Sequence, residues 1–364
     1  MRVVVVGGGV IGLSIAWRAA SRGMTVTVVD PAPGSGASAV AAGMLAPVTE
    51  VHYGEEALLE LNLESSRRYP GFVAELEELT AADTGYRACG TVAVARDADD
   101  LAALDELVAY QRGLGLDVER LRSRELRRLE PGLAPTVRGG ALVSGDHQVD
   151  PRRLVAALLE ACRRCGVELL AERVVGVEAP AVALEGGGTE TGDVVVLAAG
   201  CWSGQLAGAG LPVRPVKGQI VRLRSGAGPL PIERNVRGVD AYLVPRAGGE
   251  LVVGATVEER GFDAEVTGGA VHDLLRAALE LVPDVAELGL VEASAGLRPG
   301  TPDNAPVVGR TAVDGLVAAT GHYRNGILLA PVTADAVAEL LATGEAPPGM
   351  APFSPRRFEE VLSR

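Results

Sequence analysis

The sequence predicts an α/β protein in which a Rossmann-type dinucleotide-binding domain is interleaved with an α+β domain built on a mixed sheet. Three observations predict this fold class. A buried, β-branched strand at Arg2–Val6 runs directly into a glycine-rich turn and a helix. Similar strand and glycine-turn segments return in the middle and near the end of the chain. Between them, residues 219–257 hold short strands separated by Gly and Pro turns.

The first element group is one βαβ unit. The strand Arg2–Val6 is followed by a helix over residues 11–22, whose apolar side chains recur on one face. A second buried strand over residues 24–29 ends at Asp30. Residues 34–43 are small and predict a loop.

Further elements follow in order along the chain. Helical periodicity and capping signals predict helices over residues 57–79, 97–114, 123–129, 152–165, 270–281 and 334–341. Apolar and β-branched runs predict strands over residues 91–95, 167–170, 173–177, 194–199, 219–223, 241–245, 251–254 and 316–319. Their order predicts a discontinuous dinucleotide-binding domain of residues 1–85, 150–215 and 295–364. The substrate-binding domain takes residues 86–149 and 216–294.

Composition excludes several classes of function. The 364 residues carry a net charge of −13, which disfavours nucleic acid and anionic lipid as partners. The chain opens on a strand and has no apolar run long enough to span a bilayer, so it is expected to be cytoplasmic. Four cysteines are too few for a disulfide framework, and Cys162 and Cys165 lie on a predicted helix without a second pair for zinc. No spacing of His, Asp or Cys predicts a metal site or a hydrolytic triad.

Gly7, Gly9 and Gly12 form a G-x-G-x-x-G motif between the first strand and its helix. In such a unit the first glycine permits a tight turn, the second lets backbone approach a pyrophosphate, and the third lets helix and strand pack closely. The helix N-terminus offers free N–H groups to phosphates, and Asp30 is placed to accept hydrogen bonds from a ribose. The unit predicts dinucleotide binding, with a glycine-rich turn that binds nothing as the alternative.

The glycine motif alone does not separate FAD from NAD. Two apolar strands that run into glycines, in residues 194–200 and 315–326, resemble segments of FAD proteins in the glutathione-reductase-like group. They favour FAD. The dinucleotide-binding domain is therefore predicted to be an FAD-binding domain of that type.

Seven motifs occur in sequence from one end of the chain to the other. They are VVVVGGGVIGLSIA (3–16), AAGMLAP (41–47), PVKGQ (215–219), AYLVPR (241–246), VVGAT (252–256), AGLRPGTPD (295–303) and GHYRNGILLAP (321–331). In these motifs the chain resembles the FAD-dependent D-amino-acid oxidase family, and within it the glycine oxidases of thiamine biosynthesis. The first motif is generic to flavoproteins, and the last two are the most specific.

The resemblance implies three residues that handle the substrate. Arg298, in GLRPGT, would hold the substrate carboxylate, which a planar guanidinium can bind with two parallel hydrogen bonds. Tyr242, in AYLVPR, would bind the same carboxylate, and Arg324, in GHYRNG, would lie close to substrate and flavin. The alternatives are a domain-interface arginine, a half-buried strand tyrosine and an arginine that braces its own turn.

The resemblance also implies the residues that contact FAD. Met44 would lie beside the flavin ring, although packing alone also explains a methionine there. Val174 would meet the adenine side through its backbone, with a plain strand valine as the alternative, and His322 would act through its backbone rather than as a base. The full implied set is Gly7, Gly9, Val10, Ile11, Gly12, Asp30, Pro31, Ser38, Ala42, Gly43, Met44, Val174, Gly200, His322, Tyr323, Arg324, Asn325, Gly326, Ile327 and Leu328.

Several residues depart from the family pattern. Asp30 stands where many members have Glu. Asp240 lies near a position that is often histidine at the pocket mouth, and Val257 stands where a larger Met can occur, so strict specificity for glycine is open. Sarcosine oxidases attach flavin through a late cysteine, whereas no cysteine follows Cys201 here, which predicts noncovalent FAD.

The implied function is FAD-dependent oxidative deamination of glycine, with other small amines or D-amino acids as further substrates. The products are the imino acid or 2-oxo acid, ammonia and hydrogen peroxide, with O2 as electron acceptor. A functional link to thiazole synthase and a homo-oligomeric state go with this assignment. The alternatives are a D-amino-acid dehydrogenase that passes electrons to a quinone, an NAD-dependent dehydrogenase, and a protein that binds FAD only as a scaffold for a partner.

Overall fold

Two large and two small sheets dominate the computed structural model, which describes residues 1–206, 208–226 and 228–358. In chain order the strands are β1 (Arg2–Val6), β2 (Thr25–Val29), β3 (Met44–Leu45), β4 (Thr91–Ala95), β5 (Glu119–Arg122), β6 (Gly139–Val143), β7 (His147–Gln148), β8 (Glu168–Leu170), β9 (Val174–Glu178), β10 (Ala181–Leu184), β11 (Thr189–Thr191), β12 (Val194–Leu197), β13 (Arg214–Arg224), β14 (Asn235–Arg237), β15 (Tyr242–Pro245), β16 (Glu250–Gly254), β17 (Gly289–Gly300), β18 (Val307–Arg310) and β19 (Leu316–Thr320).

The α-helices lie mainly around the first sheet. In chain order they are α1 (Val10–Ser21), α2 (Ala37–Val40), α3 (Glu56–Thr80), α4 (Ala98–Gly113), α5 (Ser123–Leu129), α6 (Pro151–Arg164), α7 (Gly268–Leu281) and α8 (Ala330–Thr343). Short 3-10 turns occupy Gly200–Gly204, Pro283–Glu287, Pro348–Phe353 and Pro355–Phe358.

The first large sheet has the strand order β18-β19-β12-β1-β2-β8 and is parallel except for the antiparallel pair β18–β19. Its central strands are valine runs because both faces are covered. Val3 and Val5 of β1 pack into a core with α1, α3, α6 and α8. Val4, on the opposite face, belongs to a second core that also contains Val177 of β9 and Val182 of β10. The carboxyl ends of β1, β12 and β19 therefore meet at one sheet edge.

The second large sheet has the order β17-β13-β16-β15-β14-β4-β6-β5. Its neighbours are antiparallel except for the parallel pair β14–β4, so the sheet is mixed. One face buries Val221 and Val253 against α7 and α5 in a separate core. The other face presents Ile220 and Val252 toward Ala42, which follows α2. The predicted fold class is thus confirmed.

Most predicted elements are found with small shifts at their ends. Helix α5 covers the predicted residues 123–129, and the Asp150 carboxylate caps α6 by accepting hydrogen bonds from the N–H groups of Arg152 and Arg153. These elements are encoded locally, by caps and periodic apolar residues. The sequence signals for them do not depend on distant contacts.

Several details differ from the predictions. The stretch 34–43 is not all loop, since it contains α2. Strand β13 extends well beyond residues 219–223 because Pro215 and Gly218, which suggest turns, continue the pairing with β17. Strand β17 was not predicted, because its half-exposed residues show no clear apolar alternation. The other strands without a prediction are β3, β5, β6, β7, β10, β11, β14 and β18, each of which has five residues or fewer.

The domain division remains a prediction, and two of its boundaries cut through strands. The boundary at 215/216 falls inside β13 and that at 294/295 falls inside β17. Residues 359–364 of the first domain lie outside the described residues.

The cysteines are free, and Cys162 is part of the core. Its thiol donates to the Leu13 carbonyl at 3.4 Å, and burial raises the pKa of this thiol to about 12. Cys162 thus packs α6 against α1, which agrees with a structural interpretation of the C-x-x-C pair. No helix within the described ranges is both long and apolar enough to cross a membrane.

Candidate active site

A cavity of about 910 Å³ extends between the glycine turn after β1 and the eight-stranded sheet. All the site residues predicted from the sequence line it except Gly12. We call the part around Gly7, Gly9 and Asp30 the nucleotide end. The part around Tyr242 and Arg298 is the sheet end.

The three motif glycines meet different constraints. Gly7 has φ +109°, and a Cβ added there would lie 2.4 Å from the Ala198 carbonyl oxygen. A Cβ on Gly12 would lie 1.9 Å from the Gly7 carbonyl oxygen. By contrast, a Cβ on Gly9 would meet only Ser38 Oγ, at 3.5 Å. Gly12 is therefore required for close packing of the helix and does not line the cavity, and its assignment as a cofactor contact stays a prediction.

Asp30 directly follows β2 and faces the start of α1. Its carboxylate accepts hydrogen bonds from the Gly8 N–H (2.6 Å) and the Ala32 N–H (2.7 Å). Ser38 Oγ accepts from the Val10 N–H at 3.1 Å, while Gly9, which precedes the helix, has no side chain to cap it. The N-terminus of α1 thus opens onto the cavity beside a carboxylate.

Arg246 braces the wall between the two ends. Its buried guanidinium donates to the Val149 carbonyl (2.7 Å), to Gln148 Oε1 (2.6 Å) and to the Ala42 carbonyl. Ala42, Gly43 and Met44 line the cavity, and Met44 pairs with Gln148 between β3 and β7. Arg246 follows β15, the strand that begins with Tyr242. It therefore ties β15 to the cavity wall.

The turn after β19 supplies the residues from His322 to Leu328. His322 is buried, its Nε2 lies 3.0 Å from Thr333 Oγ1, and burial lowers the pKa of its ring to about 3. Tyr323 has φ +45°, and its N–H donates to the Pro299 carbonyl at 3.0 Å. A neutral imidazole hydrogen-bonded to α8 holds this turn in place and is poorly suited to accept a proton.

Arg298 and Tyr242 lie flat over glycines at the sheet end. Arg298 Nη1 donates to the carbonyls of Thr256 (3.0 Å) and Lys217 (3.3 Å). A Cβ on Gly218 would lie 2.3 Å from that same nitrogen, and a Cβ on Gly254 would lie 2.4 Å from the Tyr242 hydroxyl oxygen. Two glycines on adjacent strands therefore make the space these side chains occupy.

Burial raises the pKa of the Tyr242 phenol, while the positive charge of Arg298 lowers it. Tyr242 thus remains a protonated hydroxyl that can donate a hydrogen bond beside a guanidinium. A carboxylate is the group that such a pair of donors binds best.

Arg324 has a protein partner. Its Nη2 lies 2.7 Å from Glu55 Oε2, in the residue that precedes α3. The guanidinium also lies 5.7 Å from the centre of the Tyr323 ring. Both sequence interpretations remain compatible with this position, because Arg324 lines the cavity and also braces its turn.

Sequence reasoning missed Glu50, His52 and Arg237, which line the sheet end. Arg237 Nη1 lies 2.6 Å from Glu50 Oε1. Burial, followed by the charge of Arg324, lowers the pKa of His52. The one available signal was proximity in sequence, since Glu50 and His52 follow AAGMLAP and Arg237 precedes AYLVPR.

Comparison with known proteins decides the family. A family model described as FAD dependent oxidoreductase matches residues 2–340.

This chain belongs to the FAD-dependent oxidoreductase family.

Two sequence relatives illustrate its neighbourhood. The bifunctional protein ThiO/ThiG of Synechocystis sp. is 38% identical in an alignment 370 positions long, which covers 98% of this chain and 54% of that protein. The chain thus spans about half the length of the bifunctional relatives it matches. Glycine oxidase of Geobacillus kaustophilus is 36% identical over 97% of this chain and 96% of its own length.

Solved structures agree with the sequence relatives. The crystal structure of the Geobacillus kaustophilus glycine oxidase superposes with a TM-score of 0.91, covering 97% of this chain and 98% of that one. Iminodiacetate oxidase from Chelativorans sp. BNC1 superposes with a TM-score of 0.89 at 26% identity, covering 97% and 99% of the two chains. This oxidoreductase therefore belongs to an FAD-dependent family and has the fold of glycine oxidase.

The cavity of this oxidoreductase fits FAD. The N-terminus of α1, the open space over Gly9 and the Asp30 carboxylate match a pyrophosphate and a ribose. Cys201 also lines the cavity, and burial raises the pKa of its thiol to about 12, so the thiol stays protonated. That state accords with the prediction that FAD is held noncovalently.

Proposed function

We propose that this oxidoreductase oxidises the amine of small amino acids, with glycine as the main substrate. The observation that carries the proposal is the placement of Arg298 and Tyr242 at the sheet end, in one cavity with the nucleotide end. A substrate carboxylate held there would place its Cα toward the middle of the cavity. FAD, when bound, accepts two electrons and a proton equivalent from the substrate carbon.

The protein residues then supply binding and orientation. The Arg298 guanidinium and the Tyr242 hydroxyl hold the carboxylate, which fixes the direction of the Cα–H bond. Arg324 is kept in place by Glu55 and adds positive charge near the substrate. His322 is neutral and hydrogen-bonded to Thr333, so it does not take the proton of the substrate amine. The amine instead gives up its proton to solvent, or binds already deprotonated.

The products follow from the chemistry of the substrate. Loss of two electrons and two protons from glycine leaves an imine, and water converts it to glyoxylate and ammonia. With O2 as the final acceptor, two electrons and two protons yield one hydrogen peroxide. A quinone acceptor, as in a D-amino-acid dehydrogenase, is the alternative.

A link to thiazole synthesis for thiamine forms part of the proposal. It is supported by the names of the bifunctional relatives, in which a region like this chain makes up about half of the protein. The proposal also includes a homo-oligomeric state and a cytoplasmic location, which are expected from the sequence.

An anaerobic titration tests the amine oxidation. Glycine, sarcosine and D-alanine are added to the purified holoenzyme, and flavin absorbance is followed. Bleaching by glycine is expected, and no bleaching by any of these amines would refute the proposal in favour of a scaffolding role. Oxygen or a quinone is then admitted: fast reoxidation with peroxide formation supports the oxidase, and fast reoxidation by quinone alone supports the dehydrogenase.

A further inference from the structure

The ion pair between Arg237 and Glu50 stands in the wall of the sheet end, beside Tyr242. We propose that Arg237 forms a second carboxylate subsite, so that the enzyme also takes amino acids with a second carboxylate on the amine or on Cα. The inference rests on the proposed function, since it extends the substrate class of the same site. Iminodiacetate is the simplest member of that class.

The register of the sheet places Arg237 on the substrate face. Arg237 of β14 lies directly opposite Tyr242 of β15, which in turn lies opposite Gly254 of β16. Directly opposed residues of antiparallel strands share a face. Because Gly254 pairs with Ile220 and Arg298 pairs with Val216, four residues along β13, Arg298 is on that face as well.

The two arginines therefore flank Tyr242. The Tyr242 phenol responds to both charges, because Arg298 and Arg237 each lower its pKa while Glu50 raises it. The Tyr242 ring lies over Gly254, so no side chain from that strand stands between the arginines. A substrate whose first carboxylate is on Arg298 would extend along the cavity wall toward Arg237.

The guanidinium of Arg237 keeps donor capacity. Among the described residues Glu50 is its ion-pair partner, reached through Nη1, and 29% of the Arg237 side chain is exposed. A guanidinium has five N–H donors in a planar fork, and one carboxylate cannot use all of them. The remaining edge can bind a second carboxylate, with Glu50 holding the guanidinium in position.

Glycine cannot use this subsite, because it ends at its Cα. A carboxylate attached through the amine gains a charge-assisted contact that a methyl group in the same place lacks. Glu50 opposes the second carboxylate by repulsion and so limits the gain. Removing the charge of Arg237 should therefore weaken binding of the second carboxylate, and removing the charge of Glu50 should strengthen it.

The test uses two ether acids that carry no oxidisable amine. Diglycolate has the two carboxylates of iminodiacetate, and methoxyacetate has one carboxylate and the methyl group of sarcosine. Their dissociation constants for the holoenzyme are measured by calorimetry or from the flavin spectrum. The quantity of interest is the preference for diglycolate over methoxyacetate, because carboxylate binding at Arg298 contributes to both.

Arg237→Met should lower that preference about tenfold or more, and Glu50→Gln should raise it severalfold. Arg224→Met serves as the control, since Arg224 is an exposed arginine on the same sheet, paired with Glu250 and outside the cavity. Its preference should match that of the wild type. Melting temperatures of all four proteins establish that they are folded.

An unchanged preference in Arg237→Met, or a shift in the same direction in both cavity variants, would overturn the subsite. Steady-state oxidation of iminodiacetate and sarcosine is then compared in the same proteins, with the same order expected for kcat/KM. The binding arm does not depend on turnover. A holoenzyme that binds diglycolate through Arg237 but oxidises no amine would refute the proposed function and leave the subsite standing.

Discussion

At the nucleotide end the cavity wall is built around the backbone of a glycine turn, with the Asp30 carboxylate beside it, whereas at the sheet end it is built from side chains. The glycine turn and the first turn of α1 come from one short stretch of the chain, which includes Gly7 and Gly9. Their sequence is constrained by how closely the backbone must approach the cofactor and the neighbouring strand. Arg298 and Tyr242 come from β17 and β15, which are far apart in sequence and reach one site only through β13 and β16.

The difference explains which part of the site can vary. Backbone recognition of a pyrophosphate depends on the absence of side chains, so almost any substitution in the glycine turn is harmful. Recognition by side chains depends on charge and shape at single positions. The sheet end can therefore change substrate range through residues such as Arg237, Asp240 and Val257 without altering the cofactor site.

The largest effects are expected at the nucleotide end, where Gly12 is needed for helix packing and Gly9 for the approach of the cofactor. Gly12→Val should fail to yield folded holoenzyme, because a Cβ there would lie 1.9 Å from the Gly7 carbonyl oxygen. Gly9→Val should fold, since its Cβ meets Ser38 Oγ at an ordinary 3.5 Å, yet lose FAD affinity by a factor on the order of 100 as the side chain fills the pyrophosphate position.

The melting temperature of the apoproteins and FAD titration by fluorescence distinguish the two variants. Wild-type FAD affinity in Gly9→Val would place the cofactor elsewhere. A stable Gly12→Val holoenzyme would contradict the packing role.

At the sheet end, Arg298→Ala should lower kcat/KM for glycine on the order of 100-fold while FAD stays bound. The loss has two parts, since the guanidinium both binds the carboxylate and directs Cα–H toward the middle of the cavity. Arg298→Lys should recover only part of the activity, because an ammonium lacks the planar fork. Flavin content is checked first, and near-normal kcat/KM in Arg298→Ala would make Arg324 the next candidate anchor.

Arg246 connects the two ends, so its removal should affect both. Arg246→Met leaves the carbonyls of Ala42 and Val149 without their donor, at a cost of about 1–3 kcal/mol for each buried group. We expect FAD affinity and kcat/KM each to fall about tenfold. Arg87→Met is the matched control, since Arg87 also braces carbonyls, those of Pro245 and Glu233, away from the cavity. Equal losses in both variants would reduce Arg246 to a general stabilising role.

A further expected effect concerns the pH dependence of stability and leaves the cavity itself unchanged. His322 has a folded-state pKa of about 3, below its ordinary value of 6.5, so the unfolded chain binds a proton between these values and the folded chain does not. Its contribution to stability is present above about pH 6.5 and is lost as pH falls toward 3, by at most about 1.4 kcal/mol per pH unit. The free energy of unfolding, measured with urea at several pH values in this range, should depend less steeply on pH in His322→Gln than in the wild type. His272→Gln, a change at an exposed histidine of α7, should behave like the wild type. Identical slopes would contradict a buried, neutral His322.

Much of the cofactor region could be predicted from the sequence. The unit from β1 through Asp30 was found correctly because its signals are local: a buried strand, glycines at fixed spacing and an amphipathic helix. The same holds for Asp150 at the start of α6. Family motifs placed Arg298, Tyr242 and the residues after His322 in the cavity wall, although a motif does not reveal what each side chain contacts.

By itself, then, the sequence determined the fold class, the dinucleotide unit and the family. The tertiary structure alone decided that Arg298 lies over Gly218, that Arg237 stands opposite Tyr242, and that Glu55 holds Arg324. These contacts join strands and turns that are distant along the chain, and they depend on strand order and on register. A shift of register by one residue moves every side chain of a strand to the other face, so local sequence patterns cannot specify which charges meet.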